Sequence, residues 1–265
     1  MKINFNNVVA KSFREPFNDI MEYKYTHYWF SGGRGSTKSS FISHIIPLLI
    51  MVHSDVHAVC LRKVANTLKN SVYNQMVWAI SNLGLQDKFK IYKAPLKIVY
   101  IETGQEILFL GCDDPLKIKG TTVPFGRVGI VWYEELDQFD GMFEIRSINQ
   151  SLIRKDGIAW VFYSYNPPKS RNNWVNEEVN LKRKDRNNYH TNYLGVPPKW
   201  LGEQFIAEAD YLKESNLKAY QHEYLGEVVG TGGTIFENLD IREITDEEIK
   251  VMDNFYYGID FGLIA

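Results

Sequence analysis

Ser31-Gly32-Gly33-Arg34-Gly35-Ser36-Thr37-Lys38-Ser39-Ser40 follows a strand-like run at residues 26–30 and precedes an apolar, helix-like run that starts at Phe41. A glycine-rich turn between strand and helix lets successive backbone N–H groups converge on phosphate oxygens, and the positive end of the helix adds a favourable field. In the pattern G-x-x-x-x-G-K-[ST], Lys38 reaches the β- and γ-phosphates of a nucleotide and Ser39 offers its hydroxyl to Mg²⁺. Thr37 stands where glycine is usual, which puts a β-branched side chain in a tight turn that favours residues without one. The segment therefore predicts a phosphate cradle built from Gly32, Gly33, Arg34, Gly35, Ser36, Thr37, Lys38, Ser39 and Ser40.

Working outward, the remaining apolar runs have the spacing of a layered α/β fold. Strand-like runs at 56–61, 98–101, 107–110, 128–133, 158–164 and 189–193 alternate with helical patterns, the longest covering 64–83 and closed by Gly84. The order predicts a mostly parallel central sheet flanked by helices. In such sheets ligands sit at the carboxyl ends of strands, so further functional groups are expected there.

Two strand ends meet that expectation. The buried-strand run Val128-Gly129-Ile130-Val131-Trp132-Tyr133 stops at Glu134-Glu135, which predicts Glu134 for the Mg²⁺ shell and Glu135 for orienting a water toward the γ-phosphate. Side chains alternate along a strand, so both carboxylates face one ligand only if the strand ends there. The run Trp160-Val161-Phe162-Tyr163 ends in Ser164-Tyr165-Asn166-Pro167-Pro168, where Ser164 and Asn166 are placed to sense the γ-phosphate beside a stiff Pro-Pro segment.

Composition bounds the rest. The 265 residues are 45% hydrophobic and 14% aromatic, with 30 basic against 32 acidic side chains and a net charge of −2. That balance argues against a surface coated uniformly by nucleic acid but leaves room for a local basic patch. Cys60 and Cys112 form no C-x-x-C pair, so neither a disulfide framework nor a zinc site is indicated, and both are expected to be buried thiols. The most apolar stretch, 41–52, is too short to cross a bilayer and contains His44 and Pro47. No membrane association is expected.

With these motifs in order, the chain resembles the ATPase domain of the large terminase subunit, the DNA-packaging motor of tailed bacteriophages. Residues 32–39 match the phosphate loop, Trp132-Tyr133-Glu134-Glu135 the metal and catalytic-glutamate strand, and Ser164-Tyr165-Asn166-Pro167 the coupling motif. Residues 111–120, Gly226-Glu227 and Gly233-Thr234-Ile235-Phe236 are similar to the family's intervening and terminal stretches. Glu134 replaces the commoner aspartate and is one methylene longer, which leaves open whether metal is held directly or through water. The resemblance implies a P-loop NTPase fold with a small helical lid: an ATPase core at 1–195, a lid at 196–240, and at 241–265 a linker with the first strand of a nuclease domain. In that strand Asp260 would be the first metal carboxylate of an RNase H-like site. Its partner carboxylates are not found before Ala265, so no DNA cleavage is expected of this polypeptide.

The resemblance further implies ATP and Mg as cofactors, and as partners double-stranded DNA, a portal protein, a small terminase subunit and further copies in a homo-oligomeric ring. It places the protein in the host cytoplasm, transiently on the procapsid portal. Arg34 is a candidate for stabilising transition-state charge, with Arg127, Lys119 and Lys117 as candidates for a finger offered to a neighbouring subunit. Arg62-Lys63, just after a strand, has two readings, a further candidate for such a role or a solvated strand end. Phe17 has two readings, a ring stacking on adenine or a core phenylalanine. The densest basic run, Lys182-Arg183-Lys184-Asp185-Arg186, is a candidate contact for DNA phosphates or a solvated face. A helicase-like ATPase acting on nucleic acid and a portal-docking module that binds nucleotide without hydrolysis remain as alternatives.

Overall fold

The computed structural model describes residues 8–113, 118–230 and 242–251. Eight strands form one sheet in the order β3-β4-β5-β2-β6-β7-β1-β8. They are β1 (His27–Gly32), β2 (Val56–Arg62), β3 (Phe89–Lys93), β4 (Leu96–Tyr100), β5 (Glu106–Gly111), β6 (Arg127–Glu134), β7 (Trp160–Tyr165) and β8 (Arg186–Thr191). From β5 to β8 every pairing is parallel, whereas β3–β4 and β4–β5 are antiparallel. The mostly parallel α/β sheet is the architecture expected from the alternating runs.

Strand periodicity divides the core between the two sheet faces. Tyr28, Phe30, Ala58, Cys60, Ile130, Trp132, Trp160 and Phe162 pack in one cluster against α1 (Arg14–Met21), α2 (Lys38–Val52) and α3 (Asn74–Asn82). Their strand neighbours Trp29, Val59, Leu61, Val131, Tyr133, Val161 and Tyr163 form a second cluster with α4 (Met142–Leu152) and α5 (Trp174–Glu178). The central strands are apolar on both faces because both are covered.

Three local readings change. The helical pattern at 64–83 is a 3₁₀ turn (Ala65–Thr67), a π-helical turn (Lys69–Tyr73) and then α3. The π turn adds one residue per turn, which lets Val72 and Tyr73 both reach the core. The strand expected at 189–193 begins at Arg186. β3 is an additional strand whose exposed lysines guard the sheet edge. Gly84, at φ +67°, closes α3 as expected, and Cys60 and Cys112 are buried free thiols.

Residues Met1–Gly232 form one compact unit. Within it, α6 (Pro198–Leu201), α7 (Glu203–Ser215), α8 (Leu217–Tyr220) and a π-helical turn (Gln221–Leu225) share a small cluster of Tyr193, Ala209 and Tyr220 with Phe205, Leu212 and Tyr224. In the second unit, Gly233–Ala265, the described part carries a helix at Asp246–Lys250 with a capping box at Thr245 and Glu248. No helix among the described residues is long and apolar enough to cross a membrane.

Candidate functional site

β1 ends at Gly32 and α2 starts at Lys38, so the glycine-rich segment is a strand-to-helix loop. Thr37 adopts φ +60° and ψ 17°, the left-handed conformation that glycine serves at this position. For a β-branched residue it costs on the order of 1–2 kcal/mol. The Thr37 Oγ1 is buried and finds no hydrogen-bond partner among the described residues.

The Lys38 ammonium donates to Asn166 Oδ1 at 2.5 Å, to the Gly32 carbonyl at 3.1 Å and to Ser36 Oγ at 3.4 Å. It is buried, and that desolvation pulls its pKa from 10.5 down to about 8 against the opposing pull of Asp137 and Glu134. Arg34, by contrast, is exposed at the mouth of the loop, its backbone N–H donating to the Glu223 carbonyl at 2.8 Å.

Beneath the loop lie the two other predicted strand ends. β7 separates β1 from β6, and Glu134 pairs in register with Ser164. Ser164 is buried and accepts from Trp132 Nε1 at 2.9 Å, which ties the two strands together on the core side. β6 stops at Glu134, and Glu135 turns to φ +55°, ψ +55°. This turn breaks the alternation, so both carboxylates line one cavity.

Of the two readings of Arg62, the solvated strand end is not what the structure shows. Arg62 is only 7% exposed, and its guanidinium pairs with Glu134 at 3.2 Å and with Glu135 at shorter range. Burial raises the Glu134 pKa, while Arg62 and Lys38 pull it down. Glu135 also accepts from Gln138 Nε2 at 2.6 Å. Asp137 is a third carboxylate in the cavity, with a pKa raised by burial. Asp137 and Gln138 escape the sequence reading because they are charged or polar residues in a turn, where solvated side chains are the rule.

These groups surround a cavity of about 610 Å³ that runs along residues 33–40 to Glu134, Glu135, Asp137, Ser164 and Asn166. A second cavity of about 370 Å³ adjoins it and shares Thr37, Ser40 and Trp200 with it. Both sizes suit small-molecule sites. The donor set fits Mg²⁺: Ser39 and Glu134 line the same cavity, and Glu134 Oε2 is buried without a hydrogen bond. Among the described residues no cluster of three His, Cys or acidic side chains closes around one point. A magnesium ion here would complete its shell with phosphate oxygens and water, as is common for nucleotide sites.

Other candidates lie elsewhere. Phe17 packs against the core cluster and lines neither cavity, whereas Phe13 from the preceding turn lines the second. Arg127 is at the amino end of β6, paired with Asp55 at 3.1 Å and donating to the Ile158 carbonyl. Lys119 is exposed beside α4. In the basic run, Arg186 is buried, stacks on Trp29 and donates to the Glu178 and Leu181 carbonyls, while Arg183 pairs with Asp185 at 2.7 Å. Two of its four cations are therefore engaged within the chain. Lys117 and Asp260 lie outside the described residues.

The π-helical turn and the residue after it meet the phosphate loop in part backbone to backbone. A Cβ on Gly33 would stand 2.1 Å from the Tyr224 carbonyl oxygen, and one on Gly226, at φ +75°, would stand 2.4 Å from the Gly33 nitrogen. Ser31 and the Leu225 carbonyl are bridged through His190, at 3.0 and 2.8 Å.

Comparison with known proteins bears on the fold and the family. Residues 24–227, from just before β1 to just past the π-helical turn at Gln221–Leu225, match the family model for the phage terminase large subunit. The large terminase subunit of Bacillus phage SPP1 is 38% identical over 269 residues, covering 98% of this chain and 63% of that protein. Among solved structures, the large terminase of a thermophilic bacteriophage in complex with ADP superposes with a TM-score of 0.62 at 15% identity, covering 86% of this chain and 53% of that one. The large terminase ATPase domain of Thermus phage P74-26 gives a TM-score of 0.55 at 14% identity, over 77% of this chain and 89% of that one. The chain thus spans less than two thirds of the SPP1 relative's length. With three motifs converging on one cavity, on the same fold and across nearly its whole length, this chain belongs to the phage terminase large subunit family.

Proposed function

We propose that the chain is the ATP-hydrolysing module of a DNA-packaging motor. The observation that carries this reading is the convergence of Lys38, Glu134, Glu135 and Asn166 on one cavity, at the carboxyl ends of β1, β6 and β7 and the loop that follows β1. Backbone N–H groups of residues 33–38 receive the phosphates, and Lys38 exchanges its contacts with Asn166 and Gly32 for phosphate oxygens. Ser39 and Glu134 would hold Mg²⁺, which would supply positive charge to offset that of the phosphates.

Glu135 orients the attacking water and accepts its proton as the water oxygen bonds the γ-phosphorus in line and the bond from that phosphorus to the bridging oxygen breaks, with ADP as the leaving group. Arg62 holds Glu135 in the structure, so the carboxylate must be drawn from that ion pair toward the water. Arg34 adds positive charge at the cavity mouth. Asn166 contacts Lys38 directly, which supplies a route from the γ-phosphate to the Pro167-Pro168 segment.

In the motor reading the substrate moved is double-stranded DNA, gripped without sequence preference, with a portal protein, a small terminase subunit and neighbouring copies as partners. That an ADP complex of a large terminase shares this fold supports a nucleotide in the cavity. The test is Mg²⁺-dependent phosphate release by this chain, Glu135→Ala and Lys38→Ala, with and without duplex DNA. Glu135→Ala should bind ATP yet lose about 10²–10⁴-fold in turnover, and Lys38→Ala should weaken binding. Undiminished hydrolysis by Glu135→Ala would remove it from the reaction.

A further inference from the structure

The second cavity, about 370 Å³, opens off the phosphate loop at Thr37 and Ser40. Away from those two residues its lining is apolar and aromatic, with Phe13, Phe41, Trp78 and Trp200, and Asn82 supplies its one side-chain amide among the described residues. Trp78 and Trp200 are 48% and 36% exposed, large aromatic surfaces left open on a cavity wall. Flat aromatic walls beside a phosphate cradle fit a purine ring.

The orientation of Asn82 follows from its neighbours. His44 is fully buried, and its Nδ1 lies 2.6 Å from the Ser40 carbonyl oxygen. A carbonyl only accepts, so Nδ1 carries the proton and Nε2 presents a lone pair. Burial holds the His44 pKa below its ordinary value, which keeps the ring neutral at pH 7. Asn82 Nδ2, 2.9 Å away, must then be the donor to Nε2. The opposite assignment would set two acceptors against each other. Asn82 Oδ1 is consequently left as an acceptor with no donor among the described residues, on a side chain that lines the cavity.

We infer that Asn82 reads the nucleobase of the bound nucleotide through Oδ1, accepting from an exocyclic amino group, and that His44 is the positioning residue that fixes this orientation. The inference rests on nucleotide binding in the adjoining cavity. An adenine donates its amino hydrogen to Oδ1. A 6-oxo purine places a carbonyl oxygen there instead, so that two acceptors meet. Polar sites built for one partner discriminate strongly against analogues that leave them unpaired.

The experiment is calorimetric titration of the chain with ATP and with ITP, which replaces the amino group by a carbonyl, in Mg²⁺ buffer. Wild type is expected to prefer ATP by about tenfold or more. Asn82→Leu should bring the two affinities within about threefold, chiefly by losing ATP affinity. Asn82→Asp, which keeps an acceptor, should weaken both nucleotides and retain the preference. His44→Phe frees the amide to rotate and should erode the preference without lowering ITP affinity, a split that a purely structural role does not produce. Asn82 is exposed, so its variants are expected to fold, and thermal unfolding checks this. An unchanged ATP-to-ITP ratio in Asn82→Leu overturns the base reading alone. If wild type binds neither nucleotide, the nucleotide-site reading falls with it.

Discussion

Replacing Lys38 with methionine should make the protein more stable, and the amount depends on pH. Burial lowers the Lys38 pKa from 10.5 to about 8. At about 1.4 kcal/mol per pH unit, keeping the ammonium charged in the fold costs about 3 kcal/mol. The sign follows from proton linkage. Below about pH 8 the folded and unfolded chains are both protonated and the whole penalty is present. Between pH 8 and 10.5 the unfolded chain binds the extra proton, so wild-type stability rises relative to the variant as pH increases. Methionine keeps the bulk of the side chain but forfeits the contacts to Asn166, Gly32 and Ser36, which returns about 1 kcal/mol for each well-formed bond. A net gain of about 1–2 kcal/mol at pH 7 remains. Urea unfolding of both proteins at pH 7 and pH 9.5 measures it. Lys38→Met should be the more stable at pH 7, with the difference narrowing by about 2 kcal/mol at pH 9.5. A difference that stays constant across this range would refute the buried-ammonium penalty.

Arg62→Ala leaves Glu134 buried without its cation and should cost about 3 kcal/mol in urea unfolding, while raising the pH at which Glu134 titrates. A loss below about 0.5 kcal/mol would mean that solvent already screens the pair. Thr37→Gly removes the left-handed strain of a β-branched residue but adds chain entropy to the unfolded state, so thermal unfolding should show a change between zero and about +1 kcal/mol with nucleotide binding retained. Gly226→Ala drives a Cβ to 2.4 Å from the Gly33 nitrogen at φ +75° and should weaken ATP affinity by displacing the phosphate loop. Titration with ATP decides it, an unaltered affinity meaning that the loop and lid yield independently.

The parts of the fold and site that were legible in the chain are those where local pattern and tertiary role coincide. Lys38, Glu134, Glu135 and Asn166 each follow an apolar strand or its loop, and parallel topology brings such ends together. The left-handed turn at Glu135 follows from the same logic, since two adjacent carboxylates cannot otherwise face one ligand. Arg62 is at another strand end, but nothing local distinguishes an arginine buried by two glutamates from one facing water. Asn82 is at the end of a helix whose start is displaced by a π turn, and its orientation depends on His44 from α2. Phe17 shows the converse case: proximity in sequence to Phe13 says little about which ring reaches a cavity, because helical rotation decides it.

At Gly33, and at Tyr224 and Gly226, the joint between the phosphate loop and the helices after β8 is main chain against main chain. Side-chain joints absorb movement by changing rotamer, but a peptide plane pressed on another has no such freedom. A shift of the loop of even half an ångström must therefore reappear in the π-helical turn and the helices attached to it. Such a linkage is also indifferent to most substitutions. Substitutions over the surface of these helices leave that coupling intact, provided the glycines at the contact remain glycines.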